Sequence, residues 1–325
     1  MTNAELYKKT FRFTLMRILT RLIGAILIIG LPTAACLIAR NQSDEAIVFI
    51  GLGTFVLACV VVGLFSHFIG YMYRAGQIAM VAEGIVTGTL PDDPYAEGKT
   101  RAKKRFGTVA VFFAIEKVIN AIVRQITNAV NRLTDSVSKG AKNSAAGYVG
   151  AAVNLFVSAV LSFLCACCMG WVFVHPDENP WRSACDGAIV YFKNWKALLK
   201  NAGKVIALGL ASLILLGGLL FGLTWLATDS ADFLNNFSQT VAEELAEENA
   251  EASLTANEVK LILQAVTAFI LWIVVHAALV NPYIMISVMN RYLKAGMANP
   301  PARSMDEKLT GLSKAYGKAL TKAEA

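Results

Sequence analysis

Residues 46–72 read AIVFIGLGTFVLACVVVGLFSHFIGYM, a stretch that contains no Asp, Glu, Lys or Arg. As a helix that rises about 1.5 Å per residue, it is long enough to cross the roughly 30 Å of hydrocarbon in a bilayer. Further long apolar runs predict spans at 19–39, 147–174, 205–227 and 261–285. The sequence therefore predicts an all-α fold, a polytopic bundle of membrane helices.

The composition of the whole chain agrees with this interpretation. Of 325 residues, 56% are hydrophobic and only 16% are charged, whereas soluble domains carry about 25% charged residues. The six cysteines lie in or beside apolar runs, which is typical neither of a disulfide framework nor of a zinc site. The net charge of +7 comes from Lys and Arg beside the apolar runs, which favours anionic lipid over nucleic acid as the partner.

The distribution of basic residues predicts how often the chain crosses the membrane. Lys and Arg are concentrated in residues 1–22, 73–105, 175–204 and 290–325, whereas residues 228–259 are acidic. Because basic segments remain on the cytoplasmic side, five spans would leave two basic segments outside. A sixth span places all of them inside, with both termini in the cytoplasm and the acidic segment outside.

Residues 106–128, FGTVAVFFAIEKVINAIVRQITN, are the candidate for this sixth span. Glu116, Asn120 and Arg124 recur every four residues on one side of the predicted helix, and apolar side chains fill the other side. Such a helix either crosses the membrane with its polar stripe towards protein or water, or lies in the interface. Both alternatives remain open, and the predicted total is about six spans.

A basic, aromatic stretch precedes the fifth predicted span and reads ENPWRSACDGAIVYFKNWKALLKNAGK (residues 178–204). Asn179 and Pro180 are typical of a helix start. We expect an amphipathic helix over 180–200 that lies on the inner leaflet and either anchors the bundle or serves as a gate or docking surface. The side chains expected at the lipid interface are Trp181, Arg182, Lys193, Trp195, Lys196 and Lys200.

Two segments resemble known membrane proteins. The first is RFGTVAVFFAIEKVINAIVR (residues 105–124), and the second is VFVHPDENPWRSACDGAIVYFKNWKALLKN (residues 172–201). With the two spans that follow, they resemble a broad group of uncharacterised bacterial multi-span proteins and are similar to the membrane domains of some glycerophosphodiester phosphodiesterases. Residues 183–201 and the last span with its basic tail have a fainter likeness to choline transporter-like proteins. The resemblance implies a helical bundle that handles a solute or lipid, and it transfers no site residue.

Polar side chains inside the predicted spans are the candidate substrate-binding residues. An ionisable group in hydrocarbon is costly unless it is paired or hydrated, so its presence indicates a functional site. The Asn281-Pro282 pair is expected to interrupt the last helix, either as in the broken helices of transporters or as a simple kink. The candidates are Glu116, Asn120, Arg124, His276 and Asn281.

Two functions fit these patterns. The first is transport or handling of a small polar solute or lipid, which requires the candidate residues to share a cavity. The second is a non-enzymatic membrane scaffold or accessory protein that binds lipid or partner proteins and has an apolar interior. No catalytic motif, metal-ligand spacing or nucleotide-binding loop occurs, so the sequence predicts no enzyme, metal site or cofactor.

The remaining predictions concern organisation and location. Residues 1–300 are expected to form the membrane bundle, and residues 301–325 a basic amphipathic tail in the cytoplasm. Gly218 and Gly222 form a GxxxG pattern that permits close helix contact and a homo-oligomer. The predicted location is the bacterial inner membrane.

Overall fold

The computed structural model describes residues 1–107, 111, 113–122, 124–125, 163–199, 202–228, 232–248 and 254–325. Within these ranges the chain forms helices and connecting turns, and no strand. The predicted all-α fold class is therefore confirmed.

The helices are numbered in chain order. They are α1 (Asn3–Ile38), α2 (Asp44–Thr87), α3 (Pro94–Phe106), α4 (helical over 113–122), α5 (Phe163–Val174), α6 (Pro180–Leu199), α7 (Ala202–Ser212), α8 (Gly218–Thr228), α9 (Asp232–Glu248), α10 (Ala256–Val275), α11 (Asn281–Ala298), α12 (Asp306–Leu312) and α13 (Lys314–Glu324). Two π-helical turns, Leu213–Gly217 and His276–Val280, join α7 to α8 and α10 to α11.

Four helical stretches among the described residues are long and apolar enough to cross a bilayer. They are Asn3–Ile38, Ala46–Thr87, Ala207–Thr228 and Ala256–Ala298. They correspond to the predicted spans 19–39, 46–72, 205–227 and 261–285. The other two predicted spans, 106–128 and 147–174, lie partly outside the described residues, so the total of about six is not confirmed.

In each of the first two helices, one end is packed against other helices, and the remainder is apolar and exposed. In α1, Leu6 and Phe13 are completely buried, whereas Ile29 is 70% and Ile38 is 85% exposed. In α2 the exposed length comes first, and the buried residues 75–82 follow. With 44 residues, α2 is about 66 Å long. It therefore extends far beyond a hydrocarbon layer of about 30 Å.

Local sequence signals set the ends of α2 and α3. The hydroxyl of Ser43 accepts a hydrogen bond from the first turn of α2, and Gly88 ends this helix with a φ of +76° that favours glycine. The carboxylate of Asp93 accepts from two backbone N–H groups at the start of α3, where Pro94 is the first helical residue. The short connection returns the basic helix α3 along the packed end of α2.

The chain forms two compact units, each described by itself. The first comprises Met1–Ala202 and Tyr283–Ala325, and the second comprises Gly203–Pro282. In the first unit α1, α2 and α3 pack together, and α13 packs against α6. In the second unit α8 and α9 pack against α10.

Pro282 changes the last long helix without ending it. The backbone N–H of Asn281 donates to the carbonyl oxygen of His276, five residues earlier, which makes the turn before Pro282 π-helical. Proline has no N–H to donate and crowds the preceding turn, and a wider turn relieves both effects. The expected interruption is therefore a π-helical turn inside a continuous helix.

Candidate functional site

The predicted polar stripe lies on α4, whose opposite face is buried. Three isoleucines on that face, Ile115, Ile119 and Ile122, are at most 1% exposed. The carboxylate of Glu116 forms an ion pair with Arg74 of α2 at 2.6 Å. Asn120 and Arg124 are exposed. Glu116 therefore has a counter-charge that the sequence did not identify, because its partner lies on a distant segment of the chain.

His276 and Asn281 belong to a small polar cluster in the second unit. The hydroxyl of Ser212 lies 2.7 Å from Nδ1 of His276, and Nε1 of Trp272 donates to the same hydroxyl oxygen at 3.1 Å. Asn281 is linked to His276 through its backbone N–H, which donates to the carbonyl oxygen of His276. Both π-helical turns begin at this cluster, one directly after Ser212 and the other at His276.

The structure thus brings together some of the five candidate residues. Glu116, Asn120 and Arg124 belong to the first unit, and His276 and Asn281 belong to the second. None of them lines either of the two cavities described below. A single binding cavity shared by all five remains a prediction.

The helix predicted at the lipid interface, α6, has protein partners along its described length. Trp181 lies beneath the ammonium group of Lys322, 4.5 Å from the ring centroid, and Lys193 donates to the carbonyl oxygen of Pro300 at 2.8 Å. The side chains of Trp195 and Lys196, and all of Lys200, lie outside the described residues. Contact of these predicted residues with lipid remains a prediction.

Arg182, the remaining predicted interface residue, is the centre of an ionic network. Its guanidinium donates to Asp186 at 2.6 Å and to Asp306 of α12 at 2.8 Å, and its side chain is only 15% exposed. The hydroxyl of Tyr316 in α13 donates to Asp306 at 2.5 Å. Burial lowers the pKa of Arg182, but the hydrogen bonds that it donates to the two carboxylates outweigh this effect and raise the pKa above its ordinary value. Arg182 therefore remains charged.

An apolar cluster beside this network attaches the C-terminal helices to α6. It contains Ile122, Cys185, Ala188, Ile189, Leu309, Tyr316 and Ala319, all buried. The side-chain oxygen of Gln125 also accepts from the hydroxyl of Ser313 at 2.7 Å. Burial raises the pKa of Cys185 to about 12, so it remains a protonated, unreactive thiol. Residues 301–325, predicted as a tail, are thus packed against α6 in the first unit.

A cavity of about 600 Å³ lies between α2, α3 and the end of α5, and we call it the basic cavity. Its lining combines the apolar side chains of Val86, Phe173 and Val174 with the cations of Arg101 and Lys104. Glu83 and Glu97 pair with Arg101. Lys104 is exposed and is therefore the cation of this lining that is most accessible to a ligand.

Arg105, which also lines the basic cavity, holds the end of α5 in place. Its guanidinium donates to the carbonyl oxygens of Val172, His175, Pro176 and Glu178 and to the hydroxyl of Ser183, at 2.7–3.2 Å. The last carbonyls of a helix have no partner within it and carry partial negative charge. Arg105 binds one of these carbonyl oxygens, that of Val172, and three more in the turn that follows α5. A basic cluster in the sequence does not distinguish this structural role from lipid binding.

Exposed and half-exposed basic residues lie on α3 and on the first turns of α1, two helices in contact, and we call them the basic surface. The ring of Tyr95 organises it, because the cationic groups of Arg12 and Lys99 each lie 4.6 Å from the ring centroid. Other exposed members are Lys8, Lys9, Lys103 and Lys104. Contacts of a cation with an aromatic face are worth about 0.5–1 kcal/mol at exposed sites. These two contacts connect α3 to α1, because Tyr95 and Lys99 belong to α3 and Arg12 belongs to α1.

Within the described residues, no three His, Cys, Asp or Glu side chains are grouped as they would be to hold a metal ion. The four apolar helices, with most of their apolar side chains exposed, indicate a helical membrane protein. No family model, curated protein or solved structure matches the chain. The resemblance to phosphodiesterase membrane domains and choline transporter-like proteins therefore stays a prediction.

Proposed function

We propose that this chain is a multi-span inner-membrane protein that binds and handles anionic lipid at the cytoplasmic face. One observation carries the proposal. The helices α1 and α2 provide long, exposed apolar stretches, and α1 and α3 provide the basic surface beside them. Anionic lipid attracts Lys and Arg near the membrane surface with about 1 kcal/mol per residue. Six exposed or half-exposed cations on two helices in contact, Lys8, Lys9, Arg12, Lys99, Lys103 and Lys104, would therefore favour anionic headgroups.

The basic cavity supports lipid, rather than a small polar solute, as the ligand. Its apolar lining from Val86, Phe173 and Val174 suits part of an acyl chain, and Lys104 suits a phosphate group. A small polar solute would leave the apolar lining in contact with water. The cavity therefore has an apolar part and a cationic part, which match the acyl chain and the headgroup of an anionic lipid.

Contacts near the two chain ends support a cytoplasmic location of both. The side-chain amide of Asn290 donates to the side-chain oxygen of Asn3 at 2.6 Å, and the rings of Tyr7 and Tyr283 meet at 5.9 Å. Residues in contact lie at a similar depth, which supports an even number of membrane crossings between them. The excess of Lys and Arg beside both ends favours the cytoplasmic side for them.

We expect a membrane-impermeant maleimide to distinguish the two sides of the membrane. Gln239→Cys, at an exposed position of the acidic helix α9, should be labelled in intact cells. Ala325→Cys, at the exposed C-terminus, should be labelled only after the membrane is permeabilised. The unmodified chain, with its six cysteines, provides the background. Labelling of Ala325→Cys in intact cells would contradict the proposed orientation.

The lipid proposal is tested by reversing charge on the basic surface. The combined change of Lys8, Lys103 and Lys104 to Glu should weaken binding of short-chain phosphatidylglycerol by at least about a hundredfold, since each lost cation is worth about 1 kcal/mol. Binding is measured by tryptophan fluorescence of the full chain in detergent. The matched control, with the same change in charge, replaces Lys294, Lys314 and Lys318 by Glu, all exposed and outside the basic surface. Equal weakening in both variants would show that net charge, not this surface, attracts the lipid.

A second candidate function is a membrane scaffold that binds lipid without moving it. The ion pair of Glu116 with Arg74 favours it, because a paired carboxylate beside a buried isoleucine face leaves little polar surface for a translocated headgroup. Reconstituted vesicles separate the two functions. Lipid handling predicts faster movement of a fluorescent anionic lipid between leaflets, whereas a scaffold leaves this rate at that of protein-free vesicles.

A further inference from the structure

A second cavity, of about 400 Å³, lies between the end of α5, α6, the end of α11 and residues 300–303, and we call it the polar cavity. Its lining includes Trp171, His175, Glu178, Arg182, Asp186 and Arg303. It lies within the first unit and shares no lining residue with the basic cavity. Its volume is within the range of small-molecule sites, which is about 300–1,000 Å³.

Two buried donors on this lining have no acceptor among the described residues. They are the indole N–H of Trp171, a residue only 3% exposed, and the Nε–H of Arg182. Folded proteins pair almost all buried polar groups, so an unpaired donor on a cavity lining marks a place where an acceptor can bind. Two such donors, on residues that line one small cavity, suit a ligand with a strong acceptor.

Both donors are held in place by neighbouring atoms. The other guanidinium nitrogens of Arg182 are already bonded to Asp186 and Asp306, so its Nε–H cannot rotate to another partner without breaking these bonds. The ring of Trp171 packs against the ring of His175, with 4.4 Å between centroids and a tilt of 32°. The ring also lies close to Gly296, where a Cβ atom would be 2.4 Å from Cζ3 of Trp171. The arrangement is therefore preorganised rather than adaptable.

The charges that line the polar cavity balance. Arg182 and Arg303 contribute two positive charges, and Glu178 and Asp186 contribute two negative charges. A ligand with a net negative charge would face two carboxylates, and one with a net positive charge would face two guanidinium groups. A zwitterion satisfies both signs at once.

We propose that the polar cavity binds a small amino-acid-like zwitterion. Its carboxylate accepts hydrogen bonds from Trp171 Nε1 and Arg182 Nε, and its ammonium group faces Glu178 and Asp186. Arg303, exposed at the rim, supplies a further cation for the carboxylate. This site is separate from the proposed lipid function and does not depend on it.

The proposal is tested by isothermal titration calorimetry of the detergent-purified full chain, with alanine and glutamine as probes. We expect saturable binding in the millimolar range or tighter. Trp171→Phe keeps an aromatic side chain, although a smaller one, and removes the N–H. It should weaken binding about tenfold, the usual effect of losing one hydrogen bond to a charged group. The matched control is Trp272→Phe, because its indole N–H is bonded to Ser212 in the second unit, and it should bind normally.

Further measurements decide the outcome. Arg303→Gln, at an exposed position that should not impair folding, is expected to weaken binding several-fold. Acetate and ethanolamine, each carrying one of the two charged groups, should bind far more weakly than alanine. The absence of saturable heat, or unchanged binding by Trp171→Phe, overturns the proposal. The variant with Lys8, Lys103 and Lys104 changed to Glu should bind alanine normally. The lipid proposal and the zwitterion proposal can therefore fail independently.

Discussion

Gly98→Ala is expected to lower the free energy of unfolding by about 3 kcal/mol, although it adds only one methyl group. A Cβ atom at this position of α3 would lie 2.6 Å from the carbonyl oxygen of Gly76 in α2 and 2.8 Å from Cζ of Phe13. The carbonyl oxygen belongs to the backbone of a long helix and cannot move aside without bending it. The two glycines therefore permit the close approach that positions the basic surface against α2.

This effect is measured as the shift of the thermal or denaturant unfolding midpoint in detergent. The control is Gly53→Ala, in the exposed apolar length of α2, where nothing lies within 4 Å of the added atom. Alanine is favoured over glycine inside a helix by about 1 kcal/mol, so this variant should be equally stable or slightly more stable. Similar destabilisation of both variants would show that the close approach at Gly98 is not responsible.

Arg182→Met is expected to cost about 3–5 kcal/mol of stability, the usual result of removing one member of a buried ionic network. The change leaves Asp186 and Asp306, which are 11% and 18% exposed, without their shared cation. Because Arg182 joins α6 to α12, the C-terminal helices should also become more sensitive to proteolysis. Replacing both carboxylates as well, by Asp186→Asn and Asp306→Asn, should recover much of the loss.

The pH dependence of this variant provides a second test. Burial already raises the pKa of Asp186, while its hydrogen bond to Arg182 lowers it. Without Arg182, only the raising effect remains, so the folded protein binds the proton more tightly than the unfolded chain does. Such a group stabilises the fold at low pH, and this contribution is lost as the pH rises through its folded pKa. The deficit of Arg182→Met should therefore shrink as the pH falls towards about 4. A deficit that is independent of pH would contradict this account.

The predictions from the sequence are most accurate where the signal is local. The spans 19–39, 46–72, 205–227 and 261–285 follow from apolar runs, since the hydropathy of a segment does not depend on its neighbours in the fold. The predicted helix 180–200 also corresponds to Pro180–Leu199, and the side chain of Asn179 accepts from the N–H of Trp181, as expected for its cap. Cap and proline signals act within a few residues, so they can be read directly.

The pairings that build the candidate sites could not be predicted in the same way. Arg182 and Asp306 are 124 positions apart, and the partners of Arg105 lie about 70 positions away. Lys and Arg at a membrane surface look alike in sequence whether they bind lipid, cap a helix or pair with a carboxylate. Only the i, i+4 spacing of Arg182 and Asp186 was a local sign that this arginine has a protein partner. Which basic residues remain available to a ligand is therefore known only from the fold.

The great length of α2 couples bilayer thickness to the position of the basic surface. This helix contains no proline and runs uninterrupted from its apolar length into the packed region at Gly76. In a thinner bilayer, a long apolar helix tilts to keep its apolar residues in the hydrocarbon. Because α2 is one continuous helix, a tilt of its apolar part also moves its packed end, and α3 moves with that end. The distance between the lysines of α3 and the lipid headgroups would then depend on the thickness of the surrounding membrane.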